Sequence, residues 1–196
     1  MPTFRSLCPA LLGILAMAAC TSITPGGLVA ASRLDPLNTP PGEIGVALSV
    51  PDAVRLTSAD ATLRIAFRED GAGSTTLVEE TVPLMLTRDD AGLVSGAQAG
   101  ETVYIAGLSP DDADRFAQAQ ADIRDARARG IAGSGSLSVS ITGGCFVGAR
   151  PETLPTRSWL RTSPSGGFVP LTRRVDAARV VGPAQAGALR GRLAPC

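Results

Sequence analysis

Acidic side chains gather at four places in this sequence: Glu69-Asp70, Glu79-Glu80, Asp89-Asp90 and the group Asp111, Asp112 and Asp114. Two carboxylates facing each other across a cleft could hydrolyse a glycosidic bond, one as acid and the other as base or nucleophile. Spacing along the chain does not put any of these pairs across a cleft. Glu69-Asp70 and Asp89-Asp90 adjoin glycines in turn-like segments, and the third group opens a predicted helix, where acids complement the helix dipole. Asp89-Asp90-Ala91-Gly92 lacks the alternating oxygen ligands and distal glutamate of a calcium loop. Serine is abundant, but there is no Gly-x-Ser-x-Gly elbow and no histidine to act as base. All 18 basic residues are arginine, so a lysine Schiff base, a pyridoxal phosphate anchor and a Walker A loop are excluded, and histidine-ligated metals with them. Gly133-Ser134-Gly135-Ser136 resembles a phosphate cradle only superficially; it precedes a strand, not a helix N-terminus, and reads as a flexible linker. No catalytic residue, metal or cofactor is expected.

Two groups of residues do point to chemistry or contact. Trp159, the single tryptophan, stands between Arg157 and Arg161, and on a strand all three project from one face. They form either an interaction patch, with guanidinium groups stacked on an indole, or a core tryptophan flanked by arginines that reach the edge. The second group is at the N-terminus. Arg5 is followed by 13 apolar or small residues, Leu7 to Ala19, ending in Met17-Ala18-Ala19-Cys20 and then Thr21-Ser22. A membrane-spanning helix needs about 20 apolar residues, so this stretch reads as the core of a signal peptide.

With small residues just before Cys20, this segment resembles the bacterial lipoproteins processed by signal peptidase II. Met17 stands where leucine is commoner. The resemblance implies cleavage before Cys20 and a diacylglycerol and fatty acyl (palmitate-type) modification there. Each buried CH₂ contributes ~0.8 kcal/mol, so several acyl chains anchor the protein without a spanning helix. Thr21 replaces the aspartate that retains such proteins at the inner membrane, which implies an outer-membrane location facing the periplasm or the cell surface. Cys8 would leave with the signal peptide and Cys20 would carry lipid, so Cys145 and Cys196 remain in an oxidising compartment and are expected to form a disulfide. Two unpaired thiols are the competing reading.

These residues need elements to hold them. The chain has 196 residues, 44% hydrophobic and 18% charged, enough for one domain with a core. Residues 1–19 read as signal peptide and 20–42 as a lipidated N-terminus and tether rich in proline and glycine, although Leu28, Val29, Leu34 and Leu37 could pack on the domain. Residues 43–196 read as one β-rich domain. Period-two alternation marks strands near 44–50, 63–68, 75–86, 103–105 and 137–142, and a hairpin joins 157–162 to 168–171. One helix interrupts them: Ser109 caps it, Pro110 opens it, and Ala113, Phe116, Ala117 and Ile123 form a narrow stripe that ends before Gly130. Asp111–Arg115 and Asp125–Arg129 are spaced for ion pairs along the helix. The expected fold is mainly β, an antiparallel, immunoglobulin-like sandwich with one covering helix; an α+β layered fold is the alternative.

The functional expectation is a non-enzymatic, lipid-anchored envelope protein, an interaction or structural module. Its partners would be the membrane, through its lipid, and an envelope protein or polysaccharide. The alternatives are a carboxylate-dependent hydrolase of envelope polysaccharide and a small-ligand carrier. The mature chain would carry 17 arginines against 18 acidic groups, with no block of either sign, so nucleic acid is not an expected partner.

Overall fold

A computed structural model describes residues 37–71, 73–161, 166–177 and 191–196. The described residues form twelve strands: β1 (Gly45–Pro51), β2 (Val54–Arg55), β3 (Ala61–Glu69), β4 (Thr76–Pro83), β5 (Met85–Arg88), β6 (Glu101–Gly107), β7 (Gly133–Ile141), β8 (Cys145–Phe146), β9 (Pro155–Arg161), β10 (Val169–Pro170), β11 (Val175–Asp176) and β12 (Ala194–Pro195). Helix α1 (Pro110–Ala128) separates β6 from β7, and a 3-10 turn (Pro41–Glu43) leads into β1. The described part is mainly β and its sheets are antiparallel, apart from the short parallel pair β8–β12.

The largest sheet runs β10-β9-β1-β6-β5, with β11 also paired to β9. A second sheet runs β4-β3-β7 and a third β12-β8-β2. β1 lies at the centre of the first, which explains its composition. A strand covered on both faces keeps apolar or small residues throughout, and every residue from Gly45 to Val50 is buried. Val46 and Leu48 face the main core with Leu63, Ile65 and Phe67 of β3 and Phe116 and Ile123 of α1. Ala47, on the opposite face, packs with Val94, Val103, Trp159 and Phe168. A third cluster, built on Val50, Val54, Tyr104, Phe146 and Leu193, lies against the short sheet.

The return run after β3 divides at Leu84. β4 pairs with β3, whereas β5 leaves for the largest sheet and pairs with β6. Pro83 occupies the last position of β4, at a sheet edge, where its missing N–H interrupts no interior ladder. Leu84, 3% exposed, plugs the core at this transfer, and its N–H donates to Ala61 O at 2.9 Å.

The helix follows its capping signals. Ser109 Oγ accepts from Asp112 N at 3.2 Å, and Pro110 takes the first turn. Its buried stripe is Phe116, Ala119, Gln120, Ile123 and Ala126; Ala113 and Ala117 lie beside it, half-buried. The expected Asp111–Arg115 pair gives way to another. Arg115 pairs with Asp112 at 2.9 Å and reaches across to Glu80 of β4, tying the helix to the sheet under it. The tertiary partner presents a second carboxylate that the isolated helix does not have.

One further expectation changes, and one left open resolves. Gly133–Ser136 is not a linker: it is the first half of β7, in register with Glu69 to Ala66 of β3. Glycine is needed there because a Cβ on Gly133 would stand 2.5 Å from both the Phe67 ring and Arg68 O. The stretch before Glu43 is not all tether either. Leu37 packs on the main core, Gln120 Nε2 donates to Thr39 O at 2.9 Å, and Arg124 donates to Leu37 O.

Candidate functional site

The Arg157, Trp159 and Arg161 side chains leave one face of β9, and the register explains how three such large groups fit there. Opposite them on β1 stand Ser49, Ala47 and Gly45 respectively, so the largest side chains of one strand lie beside the smallest of its neighbour. A Cβ on Gly45 would stand 2.7 Å from Arg161 Nε and 2.9 Å from Arg161 Cβ. The glycine is the space that Arg161 occupies.

Trp159 is not a surface anchor. It is 0% exposed, and its Nε1 donates to Ser95 O at 3.1 Å. The 89–96 loop covers it. Asp89 shapes that loop, its carboxylate accepting from Leu93 N at 2.9 Å and Val94 N at 2.8 Å, so Val94 is folded down beside the indole. Sequence alternation put the tryptophan and both arginines on one face but could not show that a loop from another part of the chain would close over the indole alone.

The arginines form the rim of this site. The Arg157 guanidinium lies 5.7 Å from the indole centroid and donates through Nη1 to Gly96 O at 2.7 Å. That of Arg161 lies 5.2 Å from the Phe168 ring centroid. Cation–π contact orients both planar groups, and the carbonyl bond also fixes that of Arg157. Two buried polar atoms here, Ser49 Oγ and Arg161 Nε, have no hydrogen-bond partner among the described residues. Exposed apolar side chains occur in the neighbouring segments, at Leu93 of the loop and Val169 of β10. The arrangement offers two oriented guanidinium groups to an anionic or hydroxyl-bearing partner.

The cysteines meet as a disulfide. Cys145 and Cys196 have their sulfurs 2.08 Å apart, at the short three-stranded sheet. The tail is held by more than sulfur: Cys196 N donates to Phe146 O at 3.0 Å, and Arg150 both covers the Phe146 ring and donates to Leu193 O at 3.0 Å. Cys20 lies outside the described residues.

Most of the carboxylate clusters are engaged locally. Asp70 accepts from Ser134 Oγ at 3.0 Å, Glu80 pairs with Arg115, Asp90 with Arg88 at 3.2 Å, and Asp112 with Arg115. Glu79 accepts a two-pronged contact from Arg64, 2.9 Å to each carboxylate oxygen. This hydrogen bonding holds the Glu79 carboxyl below its ordinary range and pushes the Arg64 guanidinium above its own, with direct charge attraction adding to both. Glu69, Asp111 and Asp114 are exposed. A buried carboxylate that the sequence did not single out is Glu101, whose fully covered side chain pairs with Arg174 Nε at 2.7 Å.

Among the described residues two shallow hollows stand out. One of about 340 Å³ is bordered by Leu77, Val78, Asp122, Asp125 and Arg129, and one of about 150 Å³ by Leu37, Ile123, Arg127, Gly135 and Leu137. No three Cys, Asp or Glu side chains among them are grouped to hold a metal ion, and no described helix is long and apolar enough to cross a membrane. Neither a protein-family model, nor a curated protein, nor a solved structure matches the chain.

Proposed function

We propose that this protein is a lipid-anchored module of the bacterial cell envelope, binding or scaffolding rather than catalysing. The observation that carries the reading is Met17-Ala18-Ala19-Cys20 behind a short apolar stretch and before Thr21-Ser22. The Cys145–Cys196 bridge supports it, since such bonds persist in oxidising compartments. The anchor is the acylated Cys20, and the location is the outer membrane, facing the periplasm or the surface. The contact surface is the rim of Arg157 and Arg161, whose fixed guanidinium groups suit the carboxylates and hydroxyls of an envelope protein or polysaccharide.

The architectural reading that goes with this is an immunoglobulin-like sandwich. It is supported by a core shared between Val46 and Leu48 of one sheet and Leu63, Ile65 and Phe67 of another, with α1 covering part of it.

Mass spectrometry of the N-terminal peptide from membrane-extracted protein tests the anchor. The expected peptide begins at Cys20 and carries acyl chains, and Cys20→Ala leaves the precursor uncleaved and without lipid. An unmodified N-terminus near Thr21 in the natural chain would sink the proposal. For the rim, Arg157→Ala together with Arg161→Ala is expected to reduce capture of envelope components by the anchored protein while its fold is retained.

A further inference from the structure

Edge strands offer unpaired N–H and C=O groups, and proteins usually blunt them with charge, proline or brevity. Most of the edges here are blunted. β4 carries Glu79 and Glu80 and ends in Pro83; β5 has four residues including Arg88; β10 has two residues, one of them Pro170. β7 is the exception. It has nine residues, Gly-Ser-Gly-Ser-Leu-Ser-Val-Ser-Ile, with neither a charge nor a proline, and among the described residues its ladder runs only to β3.

We propose that the open edge of β7 pairs antiparallel with β7 of a second copy, about a two-fold axis at Leu137. The order of its residues selects this occupant. Reversed about Leu137, the strand sets Ser134 against Ser140 and Ser136 against Ser138 on the exposed face. On the face shared with Leu63, Ile65 and Phe67 of β3, it sets Gly133 against Ile141 and Gly135 against Val139. Hydroxyls meet hydroxyls, and each large aliphatic group meets a glycine, so the strand is complementary to its own reverse. Gly135 borders the smaller hollow, about 150 Å³, and the end of the Arg127 side chain lies 3.4 Å from where a Cβ on Gly135 would stand. β7 itself carries no charge, so no charged side chains of the two strands are set against each other. Two three-stranded sheets thereby become one of six strands, an isologous contact that closes on itself. The pairing does not depend on the anchor proposed above.

Cross-linking of full-length chains in detergent tests this register. Ser136→Cys and Ser138→Cys chains are prepared separately, then mixed and mildly oxidised. Directly opposed side chains stand about 5 Å apart and diagonal ones about 7–8 Å. The mixture is therefore expected to give a 136–138 linked peptide several-fold more abundantly than either chain alone gives 136–136 or 138–138 links. In sedimentation, the natural chain is expected to be a dimer. The double variant Ser136→Lys with Ser138→Lys, which opposes like charges twice, is expected to be a folded monomer whose denaturation midpoint no longer rises with protein concentration, as that of the natural dimer should. A monomeric natural chain overturns the proposal, even one that captures a foreign strand at this edge. So does a mixture without the 136–138 preference. Should the lysine variant fail to fold, the cross-link ratio still decides.

Discussion

At Gly45 a missing side chain governs a neighbouring one. Gly45→Ala would place a Cβ 2.7 Å from Arg161 Nε and 2.9 Å from Arg161 Cβ, the latter too close to the backbone to move aside cheaply. We expect a cost of about 1–3 kcal/mol, as for other overpacked sites. Gly42→Ala, with nothing within 4 Å of the new Cβ, serves as the neutral control in the same denaturant titration. Trp159 is the complementary case. It fills the space over Ala47 and under Val94, so Trp159→Ala is expected to cost ~3–5 kcal/mol, measured by calorimetry or urea unfolding. A loss below ~1 kcal/mol would mean the indole contributes little to the core.

At the scale of elements, the tail and the β3–β4 pair carry the next expectations. The Cys145–Cys196 bridge closes a loop of 51 positions, which in the loop-entropy model restricts the unfolded chain by roughly 4 kcal/mol as an upper figure. Cys145→Ser with Cys196→Ser is expected to lower stability toward that value. Thiol counting on the denatured, non-reduced natural protein should find neither thiol reactive, and two reactive thiols would refute the bridge. Glu79 and Arg64 give a pH dependence with a definite sign. The Glu79 carboxyl is lowered by the Arg64 hydrogen bonds, so its stabilising share is present above the ordinary carboxylate range. That share is lost as the pH falls through the lowered value. Raising Arg64 works the other way and is lost only in strong alkali. Both groups are exposed enough for salt to screen them, so the effect is small. Glu79→Gln should lie below the natural protein at neutral pH and meet it in acid; a gap that persists in acid would assign the effect to something other than this charge pair.

For the whole molecule, the independently folding unit is expected to begin at Leu37 rather than at Glu43. Leu37 packs on the main core, and α1 bonds to the carbonyls of Leu37 and Thr39. A fragment of residues 37–196 should unfold at a higher denaturant midpoint than one of residues 43–196, the unfolding free energies differing by about 1–3 kcal/mol for a leucine burial and its hydrogen bonds. Equal midpoints would mean that this strap contributes nothing.

Patterns that depend on neighbouring residues were legible in the amino-acid order. The period-two runs became β1, β3, β6 and β7, and Ser109-Pro110 capped α1 where it was expected to. The Cys145–Cys196 pairing was what the lipoprotein resemblance implied, and the mainly β character followed from alternation. Alternation also put Arg157, Trp159 and Arg161 on one face, because successive side chains of a strand point to opposite sides. The remainder depended on contacts between distant segments. That Trp159 lies inside was decided by the 89–96 loop folding over it from some 60 positions away, with Asp89 holding that loop's turn. That Gly133–Ser136 is a strand was decided by β3, whose Phe67 needs the room a glycine leaves. Arg115 chose Asp112 and Glu80 over Asp111 because β4 brought Glu80 within reach. Local periodicity records which face a residue takes; what covers that face is set by chain closure, which no short window of sequence contains.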